Sequence, residues 1–490
     1  MSRLIILSNR VSLPQSQKCV AGGLAVAMQD ALSQVGGVWV GWNGEQVKQE
    51  ADQHFDILYK SKITYMTCSL TEKQYQDYYC GFANNTLWPA MHDRVDLVEY
   101  DADEYTTYQQ VNRLFAQKIC EFAQPDDLIW VQDYHFLSVA RYCREMGMQN
   151  KIGFFLHIPF ASLELWQKMP SGKSLIHDLC QYDLLGLQTT QDQKTCLQVC
   201  SKLLKAQKIQ RDLLSLNQKV VAIRHYPIGI DVTGIQQSLA DLNHQDVSPD
   251  VGAQARMKTI IGVDRIDYSK GLFERFNALA DFLEKNPEVH EQVQHVQIAS
   301  PSRLDVATYQ RLFERFKFKM DLINHEFQRN EWSPIVCNYD SKPHLELMKF
   351  YRQADICWIS SLKDGMNLVA KEYVAAQDAE NPGVLILSKF AGAAEQLTDA
   401  LVVDPTDRIA MIKALKQALN MPLAERKYRY QQMMKQLQAY DINDWRDHFL
   451  TDLACTQYVH RFECENTKSA VSFYPSHAFQ HIHMQLENRL

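Results

Sequence analysis

Short, continuous apolar runs rich in β-branched residues recur along this chain, separated by longer segments with helical spacing. In the first half they are "RLIILSNRV", "GVWVGW", "ITYMTC", "DLIWVQDY", "KIGFFLHI", "DLLGLQ" and "VVAIRHYPIGI". Patterns such as "GGLAVAMQDALSQV" and "TTQDQKTCLQVCSKLLKAQ" lie between them. A strand that is apolar on both faces must be covered on both faces, which describes a parallel sheet wrapped by helices. A polar, partly helix-like segment follows at residues 231–257, and the same rhythm then restarts with "KTIIGVDRID", "HVQIAS", "PIVCNY", "DICWISSL", "VLILS" and "ALVVDP". The pattern predicts an α/β protein of two parallel-sheet domains. Residues 1–235 form the first and 236–440 the second; helical residues 441–460 return to the first, and the tail 461–490 is left unassigned. Two such domains bind ligands at the carboxyl ends of their strands, so a cleft between them sets those ends face to face.

A length of 490 residues suits more than one core, and 46% hydrophobic with 22% charged residues is ordinary for a soluble globular chain. The formal net charge of −7 argues against a general nucleic-acid or membrane-surface binder. It leaves room for a local cationic pocket. The apolar run in "MSRLIILSNRV" is too short for a signal peptide or a span, so the expected location is cytoplasmic. The twelve cysteines are scattered with no CxxC pair. Cys196 and Cys200 share a predicted helix face, but no cluster supplies further ligands, and packing explains them better than zinc. The tail histidines His477, His481 and His483 read as a polar terminus.

Chemistry-bearing residues gather just after strands. Arg10 ends the first strand, and Gly22–Gly23 open the next helix, where glycine permits close approach to a phosphate; a simple turn explains the pair equally well. "LIWVQDYHFL" sets Asp133 and His135 at one strand end, and "IGFFLHIPF" sets His157 at another, a carboxylate and imidazoles at equivalent positions. In the second half "GVDRIDYSKGLFERF" carries Arg265 and Lys270 beside a helix start, which suits a departing diphosphate. Asp264 and Asp267 nearby offer the alternative of plain salt bridges. "QIASPSRLDV" adds Arg303. In "DGMNLVAKEYVAAQ" a helix starts near Asn367 with a mostly small or apolar first turn, an acid, Asp364, before it, and Glu372 inside it. A free helix N-terminus attracts phosphate, and a carboxylate one turn on can accept ribose hydroxyls.

Taken together these segments resemble the family 20 retaining glycosyltransferases. The matching motifs are "SNR", "AGGLAV", "GWNGE", "LWPAMH", "DYHFL", "GFFLHIPF", "QYDLLG", "YPIGID", "VDRIDYSKGL", "PSR", "DGMNLVAKEYVAAQ" and "FAGAAEQL", in order from residue 8 to about 398. The resemblance implies a GT-B fold of two Rossmann-like domains, residues 1–235 binding the acceptor and 236–440 the nucleotide sugar. It implies glucosyl transfer from UDP-glucose to glucose 6-phosphate with retention, giving α,α-trehalose 6-phosphate and UDP, the first step of trehalose biosynthesis. By the matching motifs Gly22, Gly23, Arg265, Lys270 and the backbone at Leu368 and Val369 hold the diphosphate, and Glu372 takes the ribose. Asp364 and His157 address the transferred glucose and Asp133 the acceptor. Arg10, Trp42, Tyr79, Trp88 and Arg303 form the acceptor pocket, with both arginines on its 6-phosphate. The implied catalytic set is His157, Asp364, Arg265, Lys270 and Asp133. No cofactor and no metal are implied, and no nucleic-acid or membrane partner. Self-association is left open, and a separate phosphatase is expected to consume the product.

Two departures stand out. Gln132 occupies a position where relatives commonly carry His, and "CNYDSKPHLELM" diverges enough that no uracil contact is carried over. Two further readings stay open. One is a sibling enzyme with another phosphorylated acceptor, or with GDP- or ADP-glucose as donor. The other is a non-catalytic sugar-phosphate-binding regulatory subunit, which could lose these polar residues freely.

Overall fold

The computed structural model describes residues 3–13, 28–29, 32–33, 36–240 and 257–465, with side chains through residue 456. The first sheet contains β1 (Leu4–Arg10), β2 (Gly37–Val47), β3 (Phe55–Lys60), β4 (Ile63–Thr71), β5 (Leu128–Gln132), β6 (Lys151–Phe155), β7 (Leu184–Leu187), β8 (Gln207–Lys208), β9 (Leu213–Leu216) and β10 (Lys219–His225). Its order is β3-β4-β2-β1-β5-β6-β7-β10-β9-β8. The second contains β11 (Lys258–Arg265), β12 (Val293–Ser300), β13 (Ile335–Asn338), β14 (Ile356–Ile359), β15 (Val384–Ser388) and β16 (Leu401–Val403), in the order β13-β12-β11-β14-β15-β16. All pairings of the second sheet are parallel.

The first sheet is parallel only through its centre. β3 runs antiparallel to β4, and β9 runs antiparallel to both β8 and β10. These edge elements escaped the sequence reading for a physical reason. β3 is mostly exposed, with Ile57 and Tyr59 facing solvent, so it carries no buried apolar run by which to recognise it.

Two helices close the described chain, Leu423–Ala439 and Ile442–Glu465, the second covering the predicted 441–460 from residue 442 onward. The break comes at Asp441, whose Oδ1 accepts the N–H groups of Asn443 and Asp444, while Asp444 Oδ2 accepts the Asp441 N–H at 2.9 Å. That reciprocal cap starts a new helix. The second helix lies on the first sheet through Trp445, Phe449 and Leu453, one apolar stripe at i, i+4, i+8, all fully buried. Phe449 fits there because β6 and β7 carry glycines beneath it. A Cβ on Gly153 or Gly186 would come within 2.8 or 2.7 Å of its ring. Trp130 of β5 packs on the same stripe, 4.9 Å from Trp445 and 4.8 Å from Phe449.

The chain leaves the first sheet at His225. By Val232–Ala240 it packs on the second-domain helices His344–Gln353 and Leu368–Ala376. One buried lysine ties this crossing down: Lys371 Nζ donates to Ile228 O at 2.5 Å. Burial depresses Lys371 from 10.5 to about 7. Above that value the fold holds it neutral while an unfolded chain still binds the proton, so stability rises with pH from about 7 to about 10.5. Lys371→Met is expected to raise the melting temperature at pH 7 and to flatten that rise. A thermal-melt series from pH 7 to 10 checks it; an unchanged slope in the variant would assign the pH dependence to other groups.

Cys196 and Cys200 behave as packing residues. Both are fully buried, with Cys180 Sγ 3.9 Å from Cys200 Sγ.

Candidate active site

The carboxyl ends of β1, β5 and β6 face those of β11, β12 and β14, and most of the residues singled out from the sequence lie there. The two backbones approach closely at Gly365, in the loop after β14. A Cβ at that position would stand 2.1 Å from His157 O, so only glycine lets this loop lie against the end of β6. The loop is held from behind by the "FAGAAEQL" segment: Asp364 N–H donates to Phe390 O, and Gly392 and Ala393 N–H donate to Asp364 O and Met366 O. Further links across the boundary are Tyr75 Oη to Asp305, Lys363 to Asp93, and Thr190 N–H to Glu395.

Lys270 and Asp364 form an ion pair at 2.6 Å, each side chain 13% exposed. Ser361 Oγ and Asn367 Nδ2 also donate to that carboxylate, at 3.1 and 3.0 Å. Burial alone would raise the Asp364 carboxyl; the Lys270 charge and these hydrogen bonds hold it below its usual range.

The sequence left open whether Arg265 and Lys270 merely pair with Asp264 and Asp267. Those two carboxylates are taken by other arginines. Asp264 pairs with the fully buried Arg275, and Asp267 with Arg303 at 3.1 Å. Arg265 is left exposed, 5.3 Å from the Trp88 ring centroid, with no carboxylate in salt-bridge range among the described residues. An uncompensated guanidinium beside a helix start is what a diphosphate requires.

The helix Leu368–Ala376 is less open at its start than its sequence implies. Asn367, in the left-handed region at φ 78°, caps it by accepting the Ala370 N–H at 3.1 Å. The N–H groups of Leu368 and Val369 make no hydrogen bond among the described residues. They remain the donors that a helix start offers an anion. Glu372 lies one turn on, its side chain 13% exposed and 3.6 Å from His344 Nε2.

A row of rings runs along the first domain. Trp42 contacts Tyr75 and Tyr79 at 5.7 and 5.6 Å, Tyr79 stacks on His135 at 6.0 Å, and Tyr134 packs on Trp88 at 5.6 Å. A π-helical segment, Tyr75–Leu87, stacks Tyr75 on Tyr79 at 5.5 Å. Arg10 lies over Trp42 at 5.7 Å, and Arg303 over Trp88 at 3.9 Å. Arg303 is not a free cation, since it also donates to Tyr309 Oη at 2.5 Å and Tyr134 Oη at 3.3 Å. Arg10 and Arg303 thus lie over different rings of the row.

Asp133 adopts φ 70° and ψ 169°, a region nearly reserved for glycine, and such strain concentrates at functional sites. Burial pushes its carboxyl up to about 6, against the pull of the Tyr134 and His157 N–H groups and of Arg265 and Arg303. His157 is driven down to about 3 by burial and is neutral in the working range.

Contacts thus link Arg10, Trp42 and Tyr79, then Trp88 with Arg265 and Arg303, Asp133 with His157, and Lys270 with Asp364, while Leu368, Val369 and Glu372 lie on the helix that follows the Asp364 loop. Gly22 and Gly23 lie outside the described residues, as do the tail histidines. Sequence reasoning missed Tyr75, Tyr134, the capping role of Asn367 at the helix start it had located, and the linking role of Gly365, and it read Asp267 only as a neighbour. It also passed over His92, which closes "LWPAMH". That imidazole donates from Nδ1 to Trp88 O at 2.8 Å and packs 4.2 Å from the Trp88 ring. Apart from Tyr75, the motif words contained these residues, but their partners are too distant in sequence to be read from it.

Among the described residues, no group of three or more His, Cys, Asp and Glu side chains is placed to hold a metal ion, and no helix is long and apolar enough to cross a membrane.

A family model described as Glycosyltransferase family 20 matches residues 5–455. A trehalose-6-phosphate synthase of Sodalis glossinidius is 41% identical over 457 residues, spanning 92% of this chain and 96% of the relative. The solved structure of a UDP-forming α,α-trehalose-phosphate synthase from Burkholderia xenovorans, in complex with glucose-6-phosphate, is 39% identical. It covers 92% of this chain and all of its own, with a TM-score of 0.88. An E. coli structure bound with UDP-2-fluoro glucose aligns with a TM-score of 0.88 at 40% identity, covering 93% of this chain and 99% of that one.

Proposed function

The chain belongs to glycosyltransferase family 20, and from that membership and the chemistry between its two sheets we infer that it transfers glucose from UDP-glucose to glucose 6-phosphate. The products are α,α-trehalose 6-phosphate and UDP, with the anomeric configuration retained, on a GT-B fold. The observation that carries this reading is the enclosed Lys270–Asp364 pair, pressed against the end of β6 and flanked by Arg265 and the start of helix Leu368–Ala376.

Each residue then has a task. Arg265, Lys270 and the N–H groups of Leu368 and Val369 hold the diphosphate and stabilise the charge that grows on it as the glycosidic bond breaks. Glu372 accepts the ribose hydroxyls, and Asp364 and His157 fix the transferred glucose. Asp133 orients the acceptor hydroxyl that attacks from the same face as the leaving group. No protein carboxylate forms a bond to the sugar; the departing diphosphate oxygen helps take the acceptor proton. The ring row from Trp42 to Trp88 walls the acceptor, with Arg10 and Arg303 on its phosphate.

The donor-side cations supply the charge stabilisation that a divalent ion provides in other transferases, so turnover is expected to survive exhaustive EDTA. Loss of turnover that magnesium or manganese restores would overturn this. The enzyme works in the cytoplasm, and a separate phosphatase consumes its product.

Two measurements test the reading. Crossing UDP-, GDP- and ADP-glucose with glucose 6-phosphate, glucose and glycerol 3-phosphate should give one dominant pair and an α,α-linked product. A different preferred acceptor would replace the reading with that of a sibling enzyme. Glu372→Gln weakens two charge-assisted hydrogen bonds to the ribose, about 1.5–3 kcal/mol, so UDP affinity should fall roughly tenfold or more. Glucose 6-phosphate affinity should stay as it was. Unchanged UDP binding by calorimetry in the folded variant would remove Glu372 from the ribose site.

A further inference from the structure

Gln132 is the last residue of β5 and is fully buried, and the amide oxygen of its side chain lies 2.8 Å from His157 Nε2. The amide nitrogen has no hydrogen-bond partner. A buried amide that leaves two donors unused for the sake of one ring contact is costly to keep, and that contact is what the side chain provides. The geometry around it is rigid. Gln132 pairs in register with Phe155 of β6, and the His157 N–H donates to Asp133 Oδ1 at 3.3 Å. The imidazole packs 4.7 Å from the Phe155 ring and 6.1 Å from Trp445. Nδ1, the other ring nitrogen, is neither hydrogen-bonded among the described residues nor sealed from solvent.

A neutral imidazole holds one proton and one bare lone pair, and the partner of one nitrogen decides which is which. We propose that Gln132 is a positioning residue that places the proton of His157: Nε2–H donates to Gln132 Oε1, and Nδ1 is left as an acceptor for a hydroxyl of the transferred sugar. The second clause rests on the assignment of His157 to that sugar; the first does not. An amide suits the task because its oxygen fixes the tautomer without carrying a charge that would hold the imidazolium. The charged groups on the surrounding elements are Asp133 at the end of β5, Lys363 and Asp364 on the opposing loop, and Asp441, Asp444 and Arg446 beside Trp445. None of them acts on the ring, whose titration is shifted by burial alone.

The test uses the full chain labelled with 15N-histidine, the His157 signals being assigned by their loss in His157→Gln. In the unmodified protein His157 should show the Nε2–H tautomer, unchanged between about pH 5.5 and 8.5. Gln132→Glu sets a carboxylate on Nε2, so the ring should become an imidazolium that titrates in the neutral range. kcat/KM should then gain an acid limb, falling about tenfold per pH unit below the new pKa. Gln132→Leu removes the acceptor, so kcat should fall about tenfold with the shape of the pH profile and the UDP affinity kept. An Nδ1–H tautomer in the unmodified protein would overturn the proposal without recourse to any variant. So would a Gln132→Glu protein whose His157 spectrum and pH profile match those of the parent. A spectral response with no change in turnover would keep the proton placement and overturn instead the assignment of His157 to the sugar.

Discussion

Lys270→Ala is expected to lower kcat by about two to three powers of ten, the usual cost of removing one preorganised donor from a site where negative charge develops. Its ammonium does two jobs. It neutralises Asp364 at 2.6 Å, and on the proposed reading it also holds the leaving diphosphate. Deleting it leaves that enclosed carboxylate without a cation, which costs about 3–5 kcal/mol when a buried pair is broken. The pH dependence follows from the sign of the shift. Asp364 is held below its ordinary 3.8 in the parent, so its ionised form contributes stability above that value, which is lost as pH falls through the native pKa. In the variant the Lys270 charge is gone, only the Ser361 and Asn367 hydrogen bonds still oppose burial, and the carboxyl rises. The melting-temperature gap between the two proteins should therefore be wide at pH 7 and narrow toward pH 4. Steady-state kinetics at saturating substrates together with melts across that range check both parts. A variant with near-parental kcat would remove Lys270 from the leaving-group site.

Arg303→Ala should unfold or severely weaken the second domain before it reveals anything about the acceptor. Arg303 is the partner of Asp267, a fully buried carboxylate that also caps the turn at Ser269. The Arg303 charge, the cation at Arg265 and these hydrogen bonds outweigh burial and hold the Asp267 carboxyl far below its usual range. Stranding it costs about 3–5 kcal/mol. Arg303→Ala combined with Asp267→Asn keeps the cap and removes both charges, so most of that stability should return. The acceptor effect should not return. Preference for glucose 6-phosphate over glucose should fall about ten- to a hundredfold, the worth of one charge-assisted contact. If the double variant melts like the parent and keeps its preference, Arg303 is a structural member of the Asp267 network and the phosphate belongs to Arg10 alone.

The same two arginines show how far sequence reasoning reaches. Both were legible as cations after strands, and a clamp closing on one phosphate was the natural expectation. The structure puts Arg10 over Trp42 and Arg303 over Trp88, with Tyr79 between them, in contact with Trp42 and acting on the charge of Arg303. Which carboxylate an arginine takes is decided by three-dimensional proximity. Asp264 goes to Arg275, eleven positions along the chain, and Asp267 to Arg303, thirty-six positions away. Arg265, adjacent to one and two residues from the other, pairs with neither.

By itself the sequence determined the two-sheet architecture, because a strand buried on both faces must read as an unbroken apolar run. It also determined which polar residues reach the carboxyl edge, because those placed just after such runs have nowhere else to go. Only the tertiary structure decided the antiparallel edges of the first sheet, the break at Asp441 and the pairing of charges. Exposed strands leave no hydrophobic trace, a cap needs its neighbours in place, and an ion pair is chosen by distances that close only when the chain has folded.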